Sequence, residues 1–505
     1  MNLQRATQPA GTSNRQQRRL AARQDKKARR GGGVKPDVNA LLQQANTLRE
    51  AGRPKDALDI YSQIAALQPN HLEALHGVGL TANEMGDYTL AIRLLQAVIA
   101  RKPDYAEAHL NLGNALALTG RTDEAQAAYR RAIEIAPGYA QAHYNLGATH
   151  QAIRNLEPSK AAYIAAIALR PDHVESYTNL ATVHYEIGDL SAAEKVCRQA
   201  IALQPSNPWA HTTLGLALLA SGAYDKAEAA LCRATEVDPN FGRAHYYLGQ
   251  MRFRENDPQP AARCFEEALR IDPSLSMVHL FLATICDLQG DTKAAARHLD
   301  ELARDPETKD YAIDSWSYVK NNRTAETRLF SDNFETLQYA LDCAQIDGLA
   351  LEFGVRFGIS LNFLAEQISQ EIHGFDSFEG LPDAWDEAAP GLYSTGGQLP
   401  QVGENTRLHV GLFANTLPGF VAEHPGPIRF MNVDCDIYSS TKTVFDHLAE
   451  RIVPGTVIVF DEYLLNQNWR KDEFKAFQEA VRDHGWMYEY LAFNFYSKQA
   501  VVRIL

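Results

Sequence analysis

Seven prolines, Pro69, Pro103, Pro137, Pro171, Pro205, Pro239 and Pro273, stand 34 residues apart without exception. A fixed period of that length means one small unit, repeated and stacked on itself. Two more registers keep the same period. Ala45, Gly79, Gly113, Gly147, Ala181, Gly215, Gly249 and Ala283 form one; Ala57, Ala91, Ala125, Ser159, Ala193, Ala227, Ala261 and Ala295 form the other. Only small residues occupy them. Each unit reads as two amphipathic helices, such as "AHLNLGNALALTG" followed by "TDEAQAAYRRAIEIAPG". Small residues let the paired helices close on one another, and the proline stops the second helix because it cannot continue the hydrogen-bond ladder.

This pattern resembles the tetratricopeptide repeat, with eight units over residues 37–308 and less regular units at either end. The resemblance implies an all-α right-handed solenoid with a concave surface for a protein or peptide partner. His109, His143, His211, His245 and His279 share one register. Stacked helices lie roughly 8–10 Å apart, too far for one ion to bridge, so these histidines read as packing residues. Asn111, Asn145 and Asn179 also repeat. They resemble the asparagine ladder of the O-linked N-acetylglucosamine transferase solenoid, which implies a grip on a peptide backbone. Asn supplies both the donor and the acceptor that such a grip needs.

At 505 residues the chain exceeds one ordinary domain. No run approaches the ~18 apolar residues of a membrane helix. The start, "MNLQRATQPAG", does not lead into a signal-peptide core. Six cysteines without zinc spacing read as reduced thiols, which fits a cytoplasmic protein. The net charge is −13, yet residues 1–35 carry ten Lys or Arg against Asp25 alone. The body is therefore strongly acidic, which argues against nucleic acid as its main ligand. Residues 1–36 are expected to be a disordered basic leader, with "GGG" at 31–33 as a hinge.

Beyond residue 308 the period changes. A linker is expected over 309–331. Over 332–505, short apolar runs alternate with helical stretches, opening on Asp332 and Glu335 at capping-box spacing. Alternation of this kind implies a doubly wound α/β fold, Rossmann-like, with a parallel sheet and ligands beyond the strands' carboxyl ends. In "LEFGVRFGIS", Gly354 and Gly358 sit between a strand and a helix, with Glu352 before and Ser360 after. Glycines permit a tight turn and close ligand approach, and the helix start offers free N–H donors. Asp376 ends the next strand in "GFDSFEGLP", beside Ser377, where an acid can bind ribose hydroxyls. No Gly-Lys-Ser/Thr follows the glycines, so a phosphate-binding loop is excluded. Two later runs, "PIRFMNVDCD" and "GTVIVFDEY", end in Asp434, Asp436, Asp461 and Glu462.

"LEFGVRFGISLNFLA", "GFDSFEGLP", "DCDIYSSTKT" and "PGTVIVFDEY" together resemble the macrocin O-methyltransferase family, collinear from about Phe334 to Leu505. The resemblance implies a class I S-adenosylmethionine fold in which Glu352, Gly354, Gly358, Ser360, Asp376 and Ser377 hold the cofactor. It implies adjacent strands ending at 434 and 461. Asp434, Asp461 and Glu462 would hold a divalent ion, magnesium by preference, with manganese or calcium as alternatives. Relatives often carry Asp where this chain has Glu462. Asp436 would be the general base, and the acceptor a sugar or glycan hydroxyl. The long loop after Ser377, with Trp385 and Tyr393, reads as a lid or binding loop. "NWRKDE", with Trp469 and Arg470, reads either as acceptor pocket or as packing. Two other functions stay open: a repeat scaffold with a non-catalytic cofactor domain, and a catechol-type O-methyltransferase.

Overall fold

A computed structural model describes residues 37–385 and 390–505; the basic leader lies outside the described residues. The chain divides into two compact units between Thr149 and His150.

The first unit is built of helix pairs: Val38–Glu50 with Pro54–Leu67, Leu72–Glu84 with Tyr88–Arg101, and Ala106–Leu118 with Thr122–Ile135. The small-residue register has a steric cause. A Cβ on Gly113 would lie 2.5 Å from Cε1 of Tyr129, and one on Gly79 would lie 3.0 Å from Cγ of Leu95. Both glycines face the large residue sixteen positions later, so the two helices touch through that pair. The histidine register also has a local task. His109 Nε2 donates to the Pro103 carbonyl at 3.0 Å, and His143 repeats the bond to Pro137 at 3.2 Å. These two histidines thus cap the carbonyls left by the prolines that ended the previous helices.

These facts give a prediction of opposite signs. Alanine favours a helix over glycine by about 1 kcal/mol. At Gly419, inside the helix Phe413–Glu423 with nothing within 4 Å, that gain is free, and Gly419→Ala raises stability. At Gly113 the Tyr129 ring intervenes, and Gly113→Ala lowers stability by about 1–3 kcal/mol through overpacking. Chemical unfolding of both variants checks the contrast.

In the second unit the pairs continue through Val174–Ile187 with Leu190–Leu203, Pro208–Ala220 with Tyr224–Val237, Gly242–Arg252 with Gln259–Ile271, and Val278–Leu288 with Thr292–Leu302. The glycine contacts recur, Gly215 on Leu231 at 2.7 Å and Gly249 on Phe265 at 2.6 Å. His211 and His245 again bond Pro205 and Pro239, at 2.9 and 3.2 Å.

The strands are β1 (Arg328–Phe330), β2 (Leu349–Phe353), β3 (Ile372–Asp376), β4 (Thr406–Val410), β5 (Ile428–Val433), β6 (Val457–Phe460), β7 (Tyr488–Asn494) and β8 (Gln499–Ile504). They form one sheet in the order β1-β7-β8-β6-β5-β2-β3-β4. All neighbours run parallel except those of β8. A connection as short as residues 495–498 allows only a hairpin, so β8 must reverse. The alternation reading did not foresee β1, β7 or β8.

Residues 309–331 correct the expected linker. They hold a helix, Lys309–Asn322, and the edge strand β1. Asp314 on that helix takes a bidentate bond from Arg470 at 2.6 and 2.8 Å, while Lys320 and Arg323 pair with Asp287 in the last repeats. The last repeats and the sheet share one apolar core. Phe281 stacks on Tyr496 with ring centres 4.4 Å apart, and Phe253, Phe265 and Trp316 belong to the same cluster as Phe460 and Phe477. The division at Thr149 follows from this: the later repeats are buried against the α/β part.

Candidate active site

Chain order reverses at β2, which has β3 on one side and β5 on the other. Crevices at such a switch point, beyond the carboxyl ends of the strands, are where doubly wound sheets bind ligands. A cavity of about 720 Å³ opens there. Gly354, Asp376, Ser377, Asp434, Asp436, Asp461 and Glu462 all line it.

Gly354 leaves β2 at φ +90°, and its N–H donates to the Phe375 carbonyl at 3.0 Å. A Cβ there would stand 1.8 Å from the carbonyl oxygen of Asp434, so only glycine lets this turn pass. Gly358, at φ +72°, precedes the helix Ile359–Gln367. Asp376 stitches the turn to β3: one carboxylate oxygen accepts the N–H of Arg356, the other that of Phe378, both at 2.7 Å. Ser377 Oγ accepts the Glu379 N–H and donates to the Gly380 carbonyl, each at 3.2 Å. Glu352 is fully buried below the glycine turn and accepts from Ser360 Oγ at 2.5 Å. Its second oxygen has no partner among the described residues, and neither has the neighbouring Asn432 Oδ1.

Val433 and Phe460 are register partners on the parallel pair β5 and β6. Asp434 and Asp461 follow them directly, so they emerge side by side. Asp461 accepts from Gln499 Nε2 at 2.8 Å. Glu462 is held by Lys498 at 2.9 and 3.1 Å. Asp436 is buried and adopts φ +59°, a conformation that few residues other than Gly, Asn and Asp take readily. Cys435 belongs to the core cluster.

Glu473 was missed in the sequence. It is fully buried, and its Oε1 accepts the N–H groups of both Cys435 and Asp436, at 2.9 and 3.2 Å. It thereby shapes the loop that aims Asp436. An acid in the first turn of a helix looks like an ordinary cap, so nothing in the pattern singles it out. Arg356 was missed as well. Its guanidinium lies over the Tyr393 ring at 4.6 Å, and the residue lines the same cavity as Asp434 and Asp436. Trp469 and Arg470 resolve to packing. Trp469 is 2% exposed, with Arg470 stacked on it at 4.2 Å. Trp385 donates to Asp472 at 3.4 Å, and its ring centre lies 6.1 Å from that of Tyr393.

The repeats supply the opposite wall through Arg154, Tyr185, Glu186 and Gly188. Arg356 reaches the Glu186 carbonyl at 3.4 Å. A Cβ on Gly188 would lie 2.9 Å from the Phe357 ring. The three asparagines of the proposed ladder are engaged locally. Asn111 Nδ2 meets His76 Nε2 at 2.9 Å, Asn145 donates to Asn114 at 2.7 Å, and Asn179 donates to the Tyr163 hydroxyl at 3.2 Å. A bound peptide backbone would have to exchange these bonds.

Burial and mutual repulsion favour the protonated forms of the crowded acids when no cation is bound. Burial, opposed by the Ser360 bond, lifts Glu352 to about 8. Burial, then Glu462 and Asp461, lifts Asp436 to about 8. Burial and Glu462 lift Asp461 to about 7, and burial with Asp461 and Asp436 raises Asp434 well above the carboxylate range. Each folded pKa exceeds its unfolded value of roughly 4. The resulting stabilisation is complete below pH 4 and is lost as pH rises towards 8. In chelator, the midpoint of thermal unfolding should therefore fall between pH 6 and pH 8.5, by on the order of 5 °C. Asp434→Asn should shrink the fall.

Family models described as tetratricopeptide repeat match residues 39–71, 79–140, 140–208, 188–250, 242–275 and 276–301, and a methyltransferase-domain model matches residues 351–463. The chain carries tetratricopeptide repeats followed by a methyltransferase domain, which implies S-adenosylmethionine as methyl donor. Among curated proteins it is similar to 8-demethyl-8-(2,3-dimethoxy-alpha-L-rhamnosyl)-tetracenomycin-C 4'-O-methyltransferase of Streptomyces olivaceus. That match is 26% identical over 188 residues, covering 32% of this chain and 67% of the relative. Among solved structures it is similar to MamA, at 25% identity and TM-score 0.31 over 33% of this chain and 97% of that one. It is also similar to a thermophilic tetratricopeptide repeat protein of Thermus thermophilus, at 23% identity and TM-score 0.31 over 36% of this chain and 99% of that one. Among the described residues, no helix is long and apolar enough to cross a membrane.

Proposed function

We propose that the protein is a class I S-adenosylmethionine- and divalent-metal-dependent O-methyltransferase acting on a sugar or glycan hydroxyl. The observation that carries this reading is the acid cluster: Asp434 and Asp461 leave register-paired strands into the cavity that also holds the glycine turn and Asp436. The curated relative's name, a rhamnosyl 4'-O-methyltransferase, points the same way for the acceptor. It also fits the likeness to the macrocin family.

The residues present fit both absent groups. Gly354 leaves no room for a side chain beneath Asp434, and Glu352 and Asn432 each keep a buried acceptor without a partner beside it. Glu352, Gly354, Gly358, Ser360, Asp376 and Ser377 would hold the cofactor, which supplies an electrophilic methyl group. Asp434 and Asp461 would hold magnesium, manganese or calcium through oxygen alone. Glu462 would join them by exchanging Lys498. When bound, such a cation lowers the acceptor hydroxyl's pKa and fixes its oxygen.

The chain's own residues do the rest. Asp436 would take the acceptor hydroxyl's proton as general base, leaving the oxygen to receive the methyl group that the cofactor would supply. Glu473 keeps Asp436 turned towards the cavity. Arg154, Tyr185 and Glu186 bound the acceptor side, so the repeats are part of the site as well as a surface for a protein or peptide partner. A cytoplasmic setting belongs to this reading, in keeping with six unpaired cysteines.

Calorimetry with S-adenosylmethionine, with and without magnesium, tests the cofactor half. Heat in neither case would favour the scaffold reading. Methyl-labelled cofactor offered with rhamnose-type glycans, nucleotide sugars or an aromatic diol tests the acceptor half. Label on the diol alone would move the assignment to a catechol-type enzyme.

A further inference from the structure

A second cluster of ligand-type side chains lies at the far end of β3. Glu371 and His373 are two residues apart and so share one face of the strand. His424 follows the helix Phe413–Glu423, which covers that face. One oxygen of Glu371 and one ring nitrogen each of His373 and His424 all lie within 4.8 Å of one another. The cluster stands about 10–16 Å along the strand from Asp376, towards the amino ends of the strands and away from the methyl-transfer cavity. We propose that Glu371, His373 and His424 form a separate zinc site that staples β3 to its covering helix.

Hydrogen bonding prepares each ligand. His424 Nδ1 donates to the Phe420 carbonyl at 3.1 Å, which leaves the Nε2 lone pair for a metal. His373 Nδ1 faces His409 Nε2 at 3.2 Å, so a proton on His373 Nδ1 leaves His373 Nε2 free, 3.7 Å from Glu371. Arg407 holds the other Glu371 oxygen at 3.0 Å. Partners of this kind fix tautomer and ring orientation in metal centres. Ligands around tetrahedral zinc stand about 3.4 Å apart, so small rotations close the cluster. Two imidazoles and a carboxylate suit zinc and leave a fourth position for water. His409, on β4 opposite Phe375, is a positioning residue.

The test is zinc titration of chelator-treated full-length protein against a chromophoric competitor, in excess magnesium to occupy the acid cluster. One equivalent should bind with a submicromolar constant. His424→Gln, at a partly buried position, should weaken binding by roughly 100-fold, and His409→Gln by about 10-fold, with circular dichroism confirming that each variant is folded. Cobalt in place of zinc should give a visible ligand-field band that His373→Ala and His424→Gln remove, while Asp434→Asn retains it. An unchanged constant in His424→Gln, or no binding tighter than about 10 μM, would overturn the site. Neither result bears on the methyl-transfer reading, because Asp434→Asn reports on that cluster separately.

Discussion

Asp436→Asn is expected to lower methyl transfer by roughly 100- to 10,000-fold, the usual worth of a positioned general base. Binding of S-adenosylmethionine, read by calorimetry, should stay within about twofold. Asparagine is the informative substitution for a backbone reason. Asp436 sits at φ +59°, and asparagine tolerates that conformation nearly as well as aspartate does. The side chain keeps its shape and loses only the capacity to take a proton. Asp436→Ala would confuse lost chemistry with a relaxed loop. Turnover within tenfold of the unaltered protein would remove Asp436 as the base.

Gly354→Ala should be more damaging to the molecule than to the reaction. The added carbon would stand 1.8 Å from a backbone oxygen, and backbone cannot swing aside as a side chain can. The residue also needs φ +90°, where an L-residue pays about 1–2 kcal/mol before any clash. β2 and β5 must separate at their carboxyl ends, and the loop bearing Asp434 moves with them. A loss of at least about 3 kcal/mol in stability is expected, with cofactor binding weakened more than about 100-fold. Gly358→Ala is the matched control. It also has positive φ, but its new carbon meets side chains and no backbone, the Pro400 ring at 3.0 Å and Asn362 Nδ2 at 3.5 Å. Equal effects from the two substitutions would mean that strain, and not the crossing under Asp434, makes residue 354 special.

The array was legible because its signals are local and periodic. A proline every 34 residues and two small-residue registers report the same packing contact over and over, and repetition separates signal from chance. The glycine turn and the strand-end acids were legible for a related reason: a parallel sheet delivers the ends of its strands to one edge. Asp376, Asp434 and Asp461 therefore needed only their places along the chain to be brought together. β8 was not legible, because a strand that returns through a hairpin lacks the helix that marks the others.

The sequence by itself determined the repeat, the doubly wound sheet and the group of acids at its edge, since each follows from spacing along the chain. Tertiary structure alone decided that Glu473 grips the Asp436 loop, that Lys498 holds Glu462, and that Arg154, Tyr185 and Glu186 from the repeats wall the cavity. Those contacts join residues far apart in the chain, and no local pattern requires them. They arise because the last repeats and the sheet bury their apolar faces in one core, and what that packing places side by side is fixed only when the whole unit closes.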